Sequence, residues 1–274
     1  MIKFNFIFAI LVVLSFSSEA QLPESYYSTA EGLIDSTLKT ELHTIIDEHH
    51  SQSYDDLWTD FQKTDVKPNG KVWDMYSDIP DGDPAYEYTF IEDQCSSGGT
   101  SDEGECYSRE HSMPQSWFSS NSPMQTDLFH LYPVDGYMNT MRSNLPYGET
   151  NNPDWISQNG TKKGTCSYSG YSGTIFEPVD EYKGDFARTY FYLVTRYENV
   201  VAEWAGNSAE ADAILDGTVF PAFEEWAINM LIEWHNTDPV SDKEKARNDK
   251  VYSIQSNRNP FIDHPEYVNY IWGE

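Results

Sequence analysis

A mixed α+β domain, helical at both ends around a short strand-rich middle, is the fold class the 274-residue sequence predicts. Apolar residues recur at helical spacing after residue 30 and again after residue 185, whereas residues 72–90 alternate more like strands. Aromatic residues make up 15% of the chain, which supplies the apolar surface that an acidic disordered chain lacks. The length suits one large domain with a substantial core. Lys and Arg number 17 against 45 Asp and Glu, a net charge of -28. That balance argues against gripping nucleic acid by overall attraction, because such domains are usually basic.

The chain opens with a targeting signal. Lys3 precedes the unbroken apolar run from Phe6 to Leu14, and Ser18-Glu19-Ala20 supplies small residues where a signal peptidase cuts. The run is shorter than the roughly 20 residues a membrane span needs. Residues 1–20 are therefore expected to be a secretory signal, removed on export, and no later segment is apolar enough to span a membrane. Removal takes Lys3 and Glu19 together, so the net charge stays at -28.

Residues 21–70 are expected to form a helical extension packed on the same domain. Leu38, Leu42, Ile45 and Ile46 mark its first helix. A second begins at Ser53, with Asp56 completing an imperfect capping box, and buries Leu57, Trp58 and Phe61. Residues 72–76 and 86–90 read as strands, and 78–84, rich in Asp, Pro and Gly, as the turn between them. Ala187, Tyr190, Phe191, Val194, Tyr197 and Val201 mark one C-terminal helix. Phe223, Trp226, Ala227, Met230, Leu231 and Trp234 mark another. At that spacing the aromatic stripes are read as core in preference to stacking platforms.

Export permits disulfides. Cys95 and Cys106 flank a Gly/Ser-rich loop and are the preferred pair, leaving Cys166 odd, although spacing alone leaves the connectivity open. No CxxC spacing suggests structural zinc.

The chemistry concentrates in two stretches. In the first, Glu110 offers a hard oxygen ligand beside the imidazole of His111. Neighbouring strand residues face opposite ways, so both serve one centre only through a twist or bulge, for which Pro114 and the nearby loop give scope. In the second, Pro133 reads as lying in the first turn of a helix that Leu145-Pro146-Tyr147-Gly148 ends. Asn144 then sits near the helix end, either as a cap or with its amide oxygen toward a cation.

These segments resemble the extracellular bacterial endonuclease I family, metal-dependent non-specific nucleases with a ββα-metal (His-Me finger) site. The matching words are Arg109-Glu110-His111 with Pro114, Asp127-Leu128-Phe129-His130-Leu131-Tyr132-Pro133 and Arg142-Ser143-Asn144-Leu145-Pro146-Tyr147-Gly148-Glu149. Lys183-Gly184-Asp185-Phe186-Ala187-Arg188, Trp234-His235-Asn236-Thr237-Asp238-Pro239 and the stretch from Gln255 to Pro265 follow in order, from about residue 70 to the C-terminus.

The resemblance implies that Glu110 and Asn144 ligate one divalent cation, Mg²⁺ first, with Mn²⁺ or Ca²⁺ as substitutes. His111 would be the general base that draws a proton from the attacking water. Cleavage would leave 5′-phosphate ends and need no 2′-hydroxyl, so DNA and RNA would both be substrates and the only partners of a monomer. Asp127, His130 and Arg109 would orient ligand or base, or else, for Asp127 and His130, be buried polar groups satisfied locally. Arg142 and Arg258 are the phosphate-contact candidates, and Arg188, beside Asp185, defaults to a salt bridge. Arg109, Arg142, Arg188 and Arg258, four of only six arginines, fall in the matched words and favour a locally positive cleft. Two departures stand out. Residues 117–127 hold no Lys or Arg, although some relatives place a phosphate-holding arginine there, and Phe129 stands where relatives often have His.

The competing readings are a secreted glycoside hydrolase, a calcium-dependent module using Asp78, Asp81 and Asp83, and a catalytically inactive nuclease relative. The hydrolase lacks any particular carboxylate pair, the calcium module lacks the distal Glu of an EF-hand loop, and intact Glu110, His111 and Asn144 oppose the last.

Overall fold

A computed structural model describes residues 22–273 apart from 81 and 97–99. The expected signal segment and Asp81 lie outside the described residues. The architecture is α+β. Two helices, α1 (Asp35–Ile46) and α2 (Leu57–Thr64), precede an antiparallel pair, β1 (Tyr107–His111) and β2 (Leu131–Asp135), and the helix α3 (Gly136–Arg142). An antiparallel three-stranded sheet follows, β3 (Pro153–Ile156), β4 (Lys162–Thr165) and β5 (Thr174–Glu177). The rest is helical: α4 (Lys183–Arg196), α5 (Ala209–Asp212), α6 (Glu225–Thr237), α7 (Asp242–Gln255), α8 (Pro260–Asp263) and α9 (Glu266–Trp272).

Helix α4 is the axis of the core, and every one of its residues is buried. It packs against α1, α6 and α8, while α1 also meets α9 and α2 meets α7. One apolar cluster therefore runs from Tyr27 to Ile271 and joins both ends of the chain. The aromatic stripes are core, as the periodicity predicts: Tyr190, Phe191, Phe223, Trp226 and Trp234 are all buried. Their helices are shorter than expected, since Tyr197 caps α4, Val201 opens a separate 3₁₀ turn and Phe223 precedes α6.

Three local readings need correction. Residues 72–76 and 86–90 form no ladder, although Val72 N–H donates to the Tyr88 carbonyl at 3.0 Å. The buried Asp74 takes over instead: its carboxylate accepts from Tyr76 N–H, Ser77 hydroxyl and Asp135 N–H. Side-chain capture of backbone donors competes with sheet pairing. Helix α2 starts at Leu57, because Ser53 and Asp56 exchange their hydrogen bonds within the preceding turn. Pro133 belongs to β2, not to the helix, and pairs with Arg109 on a two-stranded edge where its missing N–H is tolerated.

Helix α3 is set by its start. Asp135 is the N-cap, accepting from Met138 N–H at 2.8 Å. Cys95 and Cys106 are bridged, and Cys166 is free and buried. Gly136 N–H donates to the Cys106 carbonyl, and a Cβ on Gly136 would lie 2.6 Å from the Cys95 sulfur. The bridge thus fills the space a side chain would take at the first residue of α3.

Candidate active site

Helix α3 packs on both β1 and β2, so its C-terminal end comes back beside Glu110 and His111. Arg142, in its last turn, donates to Glu110 Oε1 at 3.0 Å, to the His111 carbonyl at 2.8 Å and to the Ser112 carbonyl. The register of β1 on β2 is unbroken from Tyr107 to His111, so the expected bulge is not there. Glu110 turns toward Tyr76 and Arg142, and His111 toward Gln125, Tyr54 and His130.

Glu110 is buried, and two side-chain donors approach the same oxygen: Tyr76 hydroxyl and Arg142 Nη1 reach Oε1 at 2.8 and 3.0 Å. Burial pushes its carboxyl up to about 7 against the opposing pull of Arg142 and Tyr76. The Tyr76 hydroxyl also meets that of Tyr147 at 2.7 Å, and the Arg142 guanidinium lies 4.8 Å from the Tyr147 ring centroid.

The His111 ring is held by a 2.9 Å hydrogen bond between Nε2 and the Gln125 carbonyl. A carbonyl only accepts, so Nε2 carries the proton and Nδ1 is the basic nitrogen. Burial first, then the neighbouring His130, lowers the imidazole to about 3 and keeps it neutral. His130 repeats the arrangement, with Nε2 on the Met124 carbonyl at 2.6 Å and its ring edge-on to His111 at 5.3 Å.

Asp127 makes no hydrogen bond to Glu110 or His111. It accepts from Phe129 N–H, Gln255 Nε2 and the hydroxyls of Tyr192 and Tyr197, all between 2.8 and 3.0 Å. Burial pushes this carboxyl up, but His49, His130 and its donors outweigh that and hold it below the ordinary carboxylate range.

The arginines do not gather into a positive cleft. Arg142 is 1% exposed and committed to Glu110. Arg258 clasps Asp263 through two nitrogens at 2.7 Å and Asp249 through a third. Arg188 pairs with Glu244, matching its default reading as a salt bridge. Asn144 is exposed directly after Ser143, which is itself the C-cap of α3 with φ 53°. Tyr54, Tyr76, Tyr147 and Gln125 were not foreseen as site residues. Only Tyr147 lay in a matched word, and nothing in sequence spacing distinguishes such tyrosines from core.

The calcium-module reading loses ground here. Asp78 is engaged by Lys67 and the Tyr182 hydroxyl. Among the described residues no group of three or more His, Cys, Asp and Glu is placed to cage a metal.

The chain belongs to the endonuclease I family, whose model matches residues 35–266, and that membership places it in the nuclease class of hydrolases. The match begins in α1, upstream of the first recognisable word. The chain is 31% identical over 256 residues to an extracellular ribonuclease of Bacillus subtilis, covering 91% of this chain and 78% of the relative. A protein of the same name from Bacillus amyloliquefaciens is 32% identical over 257 residues, with the same coverage. Endonuclease-1 of Buchnera aphidicola is 27% identical over 140 residues, 51% of this chain and 45% of that one. The protein is a nuclease, and the glycoside hydrolase reading is set aside.

Proposed function

We propose that the protein is an exported, metal-dependent, non-specific endonuclease that hydrolyses DNA and RNA to 5′-phosphate ends. The observation that carries the mechanism is the fixed His111 ring: Gln125 holds Nε2–H, so Nδ1 is free of a proton and serves as general base toward a water. Export is supported by the apolar N-terminal run and by relatives named extracellular. Among the described residues no helix is long and apolar enough to cross a membrane.

Glu110 and Asn144 are the proposed protein ligands of one divalent cation, Mg²⁺ before Mn²⁺ or Ca²⁺. The donor chemistry fits. The Tyr76 and Arg142 donors to Glu110 crowd Oε1, its buried carboxyl is pushed upward in a way a cation would reverse, and Asn144 is an exposed residue with an amide oxygen to offer. Two hard oxygen donors suit an ion that keeps most of its waters. When bound, the ion supplies positive charge to the phosphate oxygens and the departing 3′ oxygen. Arg142 and Tyr76 orient the Glu110 carboxylate, and the β1–β2–α3 unit is the proposed ββα-metal motif.

Chelation with EDTA is expected to abolish plasmid cleavage and added Mg²⁺ to restore it, while His111→Ala lowers turnover about 10²–10⁴-fold with the fold intact. Full activity in chelator removes the metal, and an unchanged His111→Ala rate removes the base.

A further inference from the structure

Five of the six arginines have a carboxylate oxygen within 3.0 Å. Arg109 is the exception. The carboxylate within 4.0 Å of it among the described residues is that of Asp55, at 3.9 Å and itself open to solvent. Its side chain is also the most exposed of the six, at 16%. On strand β1 it lies two residues from His111 and therefore on the same face. The segment before α2 folds over both. The Tyr54 ring lies parallel to the His111 imidazole at 6.1 Å, and the Arg109 guanidinium sits 3.7 Å from the Tyr54 centroid and 4.5 Å from that of Trp58.

We propose that Arg109 is the guanidinium that grips a substrate phosphate beside the base, held ready by Tyr54 and Trp58. This rests on the reading of His111 as the base. Aromatic rings engage the faces of a guanidinium, whereas phosphate engages its edge, so the two uses are compatible. Of the five N–H donors, one goes to the Tyr54 carbonyl, and no other acceptor among the described residues takes the rest. The fork is thus oriented, incompletely satisfied and close to the base. It answers the absence of any basic residue from 117 to 127, and it replaces Arg142 and Arg258, whose edges are filled by carboxylates and carbonyls.

The test is binding of a fluorescent 16-base-pair duplex in Mg²⁺ by His111→Ala protein across a salt series. Adding Arg109→Gln is expected to weaken binding about tenfold or more and to reduce the log–log salt slope by about one. Tyr54→Leu in the active enzyme is expected to raise KM about threefold to tenfold with the slope kept, because the charge remains. Unchanged affinity and slope on Arg109→Gln overturn the proposal. If Arg109→Gln does not fold, the intact His111→Ala protein decides: phenylglyoxal should modify Arg109 and bound duplex should protect it. Modification that DNA does not prevent, or an Arg109 inert in both states, overturns it. Should His111→Ala still cleave, the base assignment falls, and Arg109 is then judged on the KM of the Arg109→Gln enzyme alone.

Discussion

Asp127 shows how a residue in a matched word can be committed to the packing behind the candidate site. Its carboxylate gathers four donors from three parts of the chain: its own loop, α4 with its cap, and the end of α7. Removing it orphans buried donors that water cannot reach. Asp127→Ala is therefore expected to destabilise the fold by about 3–5 kcal/mol, read from urea denaturation. Turnover per folded molecule should fall far less than in His111→Ala. A larger loss of turnover than of stability would instead show Asp127 orienting the base directly. The identities of Glu110, His111 and Asn144 as candidates were legible because those residue types sit in ordered words. The partners that hold them were not. Tyr76 and Gln125 are brought to the site by tertiary packing, and sequence does not reveal that Arg142 and Arg258, the phosphate-contact candidates, meet carboxylates in the fold.

At the scale of elements, the helices were legible and the strands only partly so. Periods of 3.6 residues survive in α1, α4 and α6 because each buries a continuous stripe. Residues 72–90 mimic strands in composition, but Asp74 captures the Tyr76 N–H within the segment and the Asp135 N–H from β2. The strands of the candidate site, β1 and β2, are five residues each and too brief to announce themselves. Their union with α3 is braced by the Cys95–Cys106 bridge, against which Gly136 fits with no room for a methyl group. Closing a loop of this length contributes about 3 kcal/mol in the chain-entropy account. Reduction, or paired replacement by Ser, is expected to lower the thermal midpoint and to reduce nuclease activity with it. Full activity and an unmoved midpoint in the double Ser variant would show that α3 is positioned without the bridge.

Across the whole molecule, burial favours the neutral form of four histidines. His49, His111, His130 and His235 are all shifted downward, His235 to about 4, by desolvation first and Arg188 second. The unfolded chain takes up a proton near 6.5, whereas the folded His235 resists until about 4. Between those values the unfolded state binds more protons, so this contribution to stability is lost as pH falls. Buried acids such as Asp74 and Asp238, both raised to about 7, act in the opposite sense. A difference measurement separates the two. The thermal midpoint of His235→Gln should decline less than that of the parent between pH 6.5 and 4, and identical declines would remove His235 as the source.

The brace on α3 also bears on where such a catalyst is dangerous. Inside a thiol-rich cytoplasm the two sulfurs stay apart, and the newly made chain lacks the strut that seats its third helix. On the proposed reading of an exported nuclease, the enzyme is then assembled in full only where those sulfurs can join, away from its maker's own nucleic acid.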